Sequence, residues 1–126
     1  MNNLELEPTK TTAEITLDAA SGELKFSGRS IPEDPGTFFG QVVDWINEYF
    51  AGDGKSASAE FNLEYVNSGS SKYFLEIIRL LDDYNRKGKQ CSIVWLHEED
   101  DESIQELGEL FQDSVGLSFE IRAIMI

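Results

Sequence analysis

The segment YVNSGSSKYFLEIIRLLDDYNRK, Tyr65 to Lys87, contains the transition around which the rest of the chain is arranged. Apolar and polar residues alternate along residues 59–65, which is the pattern of a strand with one buried face. A serine-rich turn follows at residues 67–71. Beyond it, apolar residues recur at the spacing of one helix face, namely Phe74, Ile77, Ile78 and Leu81. A strand that leads through a turn into a long amphipathic helix favours an α/β fold.

The limits of this helix are also marked in the sequence. Ser70 or Ser71 can cap its start, because a serine oxygen accepts hydrogen bonds from the unpaired N–H groups of the first turn. Gly88 follows two basic residues and marks the end. Asn67 either orients the turn through a side-chain hydrogen bond or tolerates an unusual backbone conformation, and residue type alone favours the second role.

The flanking segments complete an alternation of strands and helices. They predict a hairpin at 12–18 and 23–26, a helix at 37–50 capped by Thr37, a buried central strand at 91–96, a helix after the acidic run 98–102, and a last strand at 117–125. The resulting order, ββαβαβαβ, predicts one α/β domain at residues 12–126 with a mixed five-stranded sheet, after a flexible tail at 1–11. Because three strands alternate with polar residues, we expect helices mainly on one face of the sheet.

The charge and cysteine content of the chain limit the kinds of partner and site that we expect. The chain has 10 Lys and Arg against 24 Asp and Glu, for a formal net charge of −14. Such a surface repels nucleic-acid backbones and anionic lipid, and therefore favours protein partners. Cys91 is the single cysteine, so the chain forms no internal disulfide and no thiolate metal cluster. With no apolar run near the roughly 20 residues of a membrane span, we expect a cytoplasmic protein.

The sequence offers little support for an enzyme. It has no GxSxG elbow, no phosphate-binding loop and no dinucleotide fingerprint, and its one histidine, His97, lacks an identifiable nucleophile. His97 and the acids at 98–101 suggest either a metal site or a solvated helix start; the second is favoured, because consecutive acids point in different directions. Cys91 lies in an apolar strand and is expected to be an inert core residue. We therefore predict no catalytic residue, metal or cofactor.

Three groups of residues resemble a known family. They are S-I-P-E-D at 30–34 with F-F at 38–39, Y-V-N-S-G-S-S-K at 65–72, and Trp95 with Asp101 and E-L-G-E-L-F at 106–111. They are similar to the S-x-P-E-N and F-Y, Y-x-N-T-S-S-x-K, and W, D and E-x-G-E-x-F patterns of SiaC-type regulatory phosphoproteins. The order of elements also resembles the STAS domains of anti-sigma-factor antagonists. The resemblance covers nearly the whole chain after the tail and implies a STAS-like fold.

The resemblance implies a regulatory switch. A partner serine/threonine kinase would phosphorylate the chain, a metal-dependent serine/threonine phosphatase would reverse this, and the unphosphorylated form would bind and activate an output protein such as a diguanylate cyclase. Ser68 matches the family's phosphorylated threonine, while Gly69 replaces a serine. The residues around the acceptor are the expected partner contacts, namely Asn67, Gly69, Ser70, Ser71 and Lys72.

The residues taken alone leave another interpretation open. Without the family resemblance, the serines of the turn favour capping and turn chemistry, and Lys72 is equally an exposed first-turn residue or a partner contact. The alternative is therefore a constitutive acidic STAS-like binding module in which Ser68 is purely structural. A phosphate on Ser68 would distinguish the two.

Overall fold

Six strands and three helices form within residues 1–125, the part of the chain that the computed structural model describes; Ile126, the end of the predicted domain, lies outside it. The elements are β1 Leu4–Leu6, β2 Glu14–Leu17, β3 Glu23–Ser30, α1 Pro35–Ala51, β4 Ser56–Val66, α2 Ser68–Arg86, β5 Gln90–Glu98, α3 Glu102–Asp113 and β6 Ser118–Ile124. Among the residues described, no helix combines the length and apolar character that a membrane span requires.

The strands form one mixed sheet in the order β1-β2-β3-β4-β5-β6. β2 is antiparallel to both of its neighbours, β1 and β3, whereas β3 to β6 run parallel to one another. The predicted α/β class and mixed sheet are confirmed, but the count of five strands is wrong. The sixth strand, β1, pairs Leu4 with Leu17 inside the segment predicted as a tail, and three residues are too few for their alternation to indicate a strand. The division at residue 12 stays a prediction.

All three helices lie on one face of the sheet, as expected. Because the parallel strands are adjacent in chain order, successive right-handed crossovers put their helices on the same side. Phe74 of α2 lies 6.2 Å from Phe26 and 4.9 Å from Phe39 of α1, between ring centroids. Phe111 of α3 packs edge-on against Trp95 of β5 at 5.4 Å. These aromatic contacts form the core between the helices and the sheet.

The other face of the sheet is open, which corrects the prediction for β5. Cys91, Ile93 and Trp95 are buried toward the helices. On the second face Leu96 is also buried, but Ser92 and Val94 are only partly buried. The expectation of a strand buried on both faces is therefore wrong for most of β5, because the described helices leave the second face uncovered. The apolar run of β5 belongs to an internal strand, paired with β4 and β6, of which one face is covered by helices.

The first helix begins earlier than predicted. Its N-cap is Asp34, not Thr37, and Pro35 occupies the first helical position, where its missing N–H costs nothing. The Asp34 carboxylate accepts hydrogen bonds from the Thr37 hydroxyl at 2.8 Å and the Thr37 backbone N–H at 3.2 Å. These two hydrogen bonds lower the pKa of Asp34. Thr37 therefore supports the cap rather than providing it.

Candidate functional site

The serine-rich turn joins β4 to α2 and is organised by Asn67. Its side-chain oxygen accepts a hydrogen bond from the Ser70 N–H at 2.8 Å, and its carbonyl accepts from the Ser71 N–H at 3.0 Å. Asn67 is therefore the N-cap, and α2 starts at Ser68. The predicted caps at Ser70 and Ser71 are wrong. The preferred role for Asn67 was also wrong, since its φ of −79° and ψ of 167° are ordinary extended backbone.

The three hydroxyls of this turn have different environments. Ser68, the first residue of α2, is exposed. Ser70 is completely buried, and its oxygen accepts a hydrogen bond from the hydroxyl of Ser30 at 3.1 Å. Ser71 is half-buried and donates its hydroxyl to the Ser68 carbonyl at 3.0 Å. Ser68 therefore offers the most accessible acceptor oxygen of the three.

Ser30, at the end of β3, fixes the turn from the neighbouring strand. Its carbonyl accepts a hydrogen bond from the Asn67 N–H at 3.2 Å, in addition to the contact between its hydroxyl and Ser70. β3 and β4 are parallel, with Ser30 opposite Val66, so their carboxyl ends meet beside the turn. Ser30 belongs to the first sequence motif, but this role is not visible in the local sequence, because 40 residues separate Ser30 from Ser70.

A groove of about 460 Å³ opens beside Ser68, between the start of α2 and helix α3. One wall includes Tyr65, Ser68 and Ser71, and the opposite wall includes Asp101, Ile104 and Leu107. The Tyr65 side chain is 50% exposed at this site, whereas Ile104 is buried. The exposed Ser68 hydroxyl therefore stands at the edge of a cleft that is partly apolar.

Trp95 and Gly108 set the position of the α3 wall. The Trp95 indole N–H donates to the Ile104 carbonyl at 2.9 Å, and its ring is fully buried against α3. A Cβ at Gly108 would lie only 2.4 Å from Cδ1 of that ring, so glycine permits the close approach. Asp101 caps α3 by accepting from the Ile104 N–H at 3.1 Å. Trp95, Asp101 and Gly108, which belong to the third group of family residues, thus fix the position of α3.

Asp82 connects the last turns of α2 to the segment before β6. Its buried carboxylate accepts hydrogen bonds from the N–H groups of Gly116 at 3.2 Å and Leu117 at 3.1 Å. Arg86 lies 3.6 Å from the same carboxylate. This contact is not predicted from the sequence, because an acidic residue on an amphipathic helix is usually solvated. Asp82 therefore helps to fix α2, and with it the Ser68 turn.

Charges are distributed unevenly around the groove. Residues 98–113 contain eight acidic residues and no Lys or Arg. On the opposite side, Lys72 is exposed and its ammonium lies 5.2 Å from the Tyr73 ring centroid, while the Arg29 guanidinium lies 5.7 Å from that of Tyr65. Helix α3 and the segment before it are therefore strongly acidic, and the cations named here lie on β3 and α2.

The other reactive side chains lie apart from this turn. Cys91 is buried, and desolvation raises the pKa of its thiol to about 11, so the reactive thiolate is scarce at neutral pH. His97 is also buried, with Nδ1 2.8 Å from the Glu98 carbonyl. Within residues 1–125, no cluster of three or more His, Cys, Asp or Glu is arranged to hold a metal ion.

Comparison with known proteins gives one consistent family. Residues 6–124 match the family model described as SiaC family regulatory phosphoprotein. A Pseudomonas aeruginosa (strain UCBPP-PA14) protein described only as uncharacterized is 31% identical over 123 residues, which is 98% of each chain. The crystal structure of apo-SiaC from P. aeruginosa has a TM-score of 0.90 at 31% identity, over 98% of this chain and 100% of that one.

A second solved structure shows such a protein with a partner. It is the crystal structure of the diguanylate cyclase SiaD in complex with its activator SiaC from P. aeruginosa. The similarity has a TM-score of 0.91 at 30% identity and covers 96% of this chain and 99% of the matched chain. In that pair, the relative is the activator and the cyclase is the partner enzyme.

Proposed function

This chain belongs to the SiaC family of regulatory phosphoproteins, and from that premise we propose that it is a phosphorylation-controlled interaction switch with Ser68 as the acceptor. The family resemblance predicted from the three sequence motifs is confirmed. We also propose that the unphosphorylated form binds and activates an output protein, that the topology is STAS-like, that the chain has no catalytic activity of its own, and that it acts in the cytoplasm.

The observation that carries this proposal is the contrast among the serines of the turn. Ser68 is exposed at the first position of α2, beside a groove large enough for a partner's side chain. Ser70 is buried and hydrogen-bonded to Ser30, and the Ser71 hydroxyl is engaged with the Ser68 carbonyl. A kinase reaches Ser68 without disrupting the cap or the core.

The position of Ser68 also supports phosphate as a local signal. A phosphoserine there would add about −1.5 to −2 charges beside the N–H groups at the start of a helix, a place that favours anions. Asp101 and Glu64, which line the same groove, act in the opposite sense. Since salt limits charge effects to about 8 Å, the added charge changes the groove and its rim rather than the whole surface.

The residues around the acceptor divide into two groups. We propose that Asn67, Gly69, Ser71 and Lys72 contact partners, since each is exposed or partly exposed. Ser70 was predicted as a fifth contact, but it is completely buried. We therefore assign Ser70 the task of holding the turn through Ser30.

The proposed partners are a serine/threonine kinase, a metal-dependent serine/threonine phosphatase and an output protein. For the output, a diguanylate cyclase is supported by the complex of the similar P. aeruginosa SiaC with SiaD. Cyclic-di-GMP signalling is accordingly the proposed pathway. Neither a nucleic acid nor a membrane is among the proposed partners, given the net charge of −14.

Site mapping after incubation with ATP and a lysate of the source cell tests the acceptor. We expect one added phosphate on the wild-type chain, located at Ser68, and none on Ser68→Ala. Ser71→Ala is the matched control and should be phosphorylated like the wild type. Phosphate on another residue would refute the assignment of Ser68, and no phosphate in repeated lysates would favour the constitutive binding module.

A second experiment tests the output. The chain with phosphoserine incorporated at position 68 and the unmodified chain would each be used to capture partners from the same lysate. We expect cyclic-di-GMP synthesis from GTP in the fraction captured by the unmodified chain, and much less with the phosphorylated chain. Equal synthesis in both fractions would contradict the switch.

A further inference from the structure

Two large apolar side chains are exposed on the elements that form the groove. Leu110 of α3 is 61% exposed and Tyr65 of β4 is 50% exposed. Leu107 lies three residues before Leu110, so both occupy one side of α3, and Leu107 lines the groove itself. The other large hydrophobic residues that are exposed within residues 1–125, Met1 and Met125, lie at the chain ends. An exposed apolar patch that continues into a cleft is characteristic of an interaction surface.

The charge around this patch restricts what binds there. Eight acidic residues and no Lys or Arg occur between residues 98 and 113, and Glu106 and Glu109 are exposed on α3 near Leu110. Glu64 and Asp101 also line the groove. An acidic segment that approached the patch would be repelled, whereas Lys or Arg residues would pair with these carboxylates and guide the approach.

We propose that this groove receives an apolar side chain from a basic segment of the output partner, with Leu107, Leu110 and Tyr65 forming the apolar contact. The inference rests on the proposed function and adds to it the location and chemistry of docking. Apolar contact would supply affinity at the centre of the interface, and the carboxylates would supply specificity at its rim.

The proposal also defines how phosphate on Ser68 prevents docking. Ser68 lines the groove, so a phosphate there occupies space that the incoming side chain needs. Burying the phosphate against an apolar side chain would also remove its water, which is costly for a charged group. Repulsion does not explain the block, because a basic segment is attracted to phosphate. We therefore attribute the loss of docking to the space that the phosphate occupies in the groove and to the cost of removing its water.

Short fluorescent peptides test the proposal without a known partner. Three peptides would share the same leucine anchors and carry flanking Lys, Ser or Glu, and a fourth would keep the Lys residues with the anchors replaced by Ser. In about 150 mM salt, we expect the first peptide to bind about tenfold more tightly than the other three, because it alone combines both features. Fluorescence polarisation provides the dissociation constants.

Substitutions on α3 locate the binding site. Leu110→Ser and Glu106→Lys should each weaken binding of the Lys-flanked peptide by about fivefold or more, in line with loss of a central apolar contact or of a rim charge. Glu48→Lys is the matched control, since Glu48 is also an exposed helical glutamate but lies near the end of α1, on the opposite edge of the sheet. It should change binding less than about twofold.

Several outcomes would overturn the proposal. Equal weakening by Glu48→Lys and Glu106→Lys would mean diffuse attraction to an acidic protein rather than binding in this groove. Equal binding of the Glu-flanked peptide, or no effect of Leu110→Ser, would remove the basic or the apolar part of the inference. Phosphate mapping at Ser68 does not involve these peptides. It therefore tests the proposed switch separately from the proposed docking groove.

Discussion

Replacing Gly108 by alanine should destabilise the protein, although the same replacement usually stabilises a helix. The new Cβ would lie 2.4, 2.6 and 2.9 Å from Cδ1, Nε1 and Cγ of Trp95. Carbon atoms in contact prefer about 3.5–4.0 Å, so α3 and the indole ring must separate by about 1 Å. The ring is fully buried and has little freedom to move away.

The expected loss of stability follows from three opposing effects. Overpacking costs about 2 kcal/mol, and weakening the hydrogen bond from the Trp95 indole to the Ile104 carbonyl costs about 1 kcal/mol more. The higher helix propensity of alanine offsets about 1 kcal/mol. The net loss is about 2 kcal/mol, which for a chain of 126 residues corresponds to a fall in Tm of about 8 °C.

Urea and thermal unfolding followed by circular dichroism would measure this change. Gly40→Ala is the matched control, because Gly40 also lies inside a helix but its Cβ would meet no atom within 4 Å. That substitution should raise stability by up to about 1 kcal/mol. Trp95→Phe removes Nε1 and leaves a smaller ring that can move away from the new Cβ, so Gly108→Ala should cost less in that background. A Gly108→Ala chain as stable as the wild type would refute the reasoning.

Three further predictions concern single side chains. Asp82→Ala should lower the free energy of unfolding by about 2–3 kcal/mol, because it leaves two backbone N–H groups without their acceptor. The neighbouring Asp83→Ala, on the exposed surface, is the control and should change it by about 0.5 kcal/mol or less. The midpoints of urea unfolding measure both effects, and equal losses would contradict the role of Asp82. Asn67→Ala should cost about 1 kcal/mol and Asn67→Asp little, since aspartate retains the capping oxygen; equal losses in urea unfolding would contradict the cap. Burial raises the pKa of the Cys91 thiol from an ordinary 9.0 to about 11, so the thiol ionises more readily in the unfolded chain. Its contribution to stability is therefore fully present below pH 9 and falls as the pH rises towards 11, and the difference between wild type and Cys91→Ala in urea unfolding should change over that window; a difference independent of pH would contradict this.

Local periodicity was sufficient for the helices and for the parallel part of the sheet. β3, β4 and all three helices carry residues on one buried face at regular spacing, and that spacing is visible within a short window. β5 is recognised by its apolar run, and β6 by an alternation whose inner residues are only partly buried. β1 was missed because three residues cannot establish a period, and its formation depends on pairing with β2. The second face of β5 was judged from its apolar composition alone, although helix placement determines whether a face is covered.

The turn at Ser68 shows where local sequence becomes ambiguous. Asn67 and the three serines after it are all good capping residues, so type alone did not select among them. Helical phase was an available signal: Ser70 lies four residues before Phe74 and eight before Ile78, which places it on the buried face. The same helical periodicity places Ser68, two residues before Ser70, on the side of α2 that faces away from the core.

Contacts between distant segments of the chain are not predictable from local sequence. Ser30 and Ser70 are 40 residues apart, and Asp82 is 35 residues from Leu117. Each pair depends on the order of strands in the sheet, which periodicity does not specify. The groove likewise requires α2 and α3 to lie side by side, so its existence emerged only from the folded chain.

Chain order and sheet order coincide from β1 to β6, and this has a consequence for synthesis on the ribosome. Each strand that emerges finds its partner already made, so the sheet can grow by addition at one edge as translation proceeds. The crossover helices then dock successively on the face that already holds the growing core. α3 and β6 join after the other elements, which means that the Ser68 turn emerges and folds before the opposite wall of its groove exists.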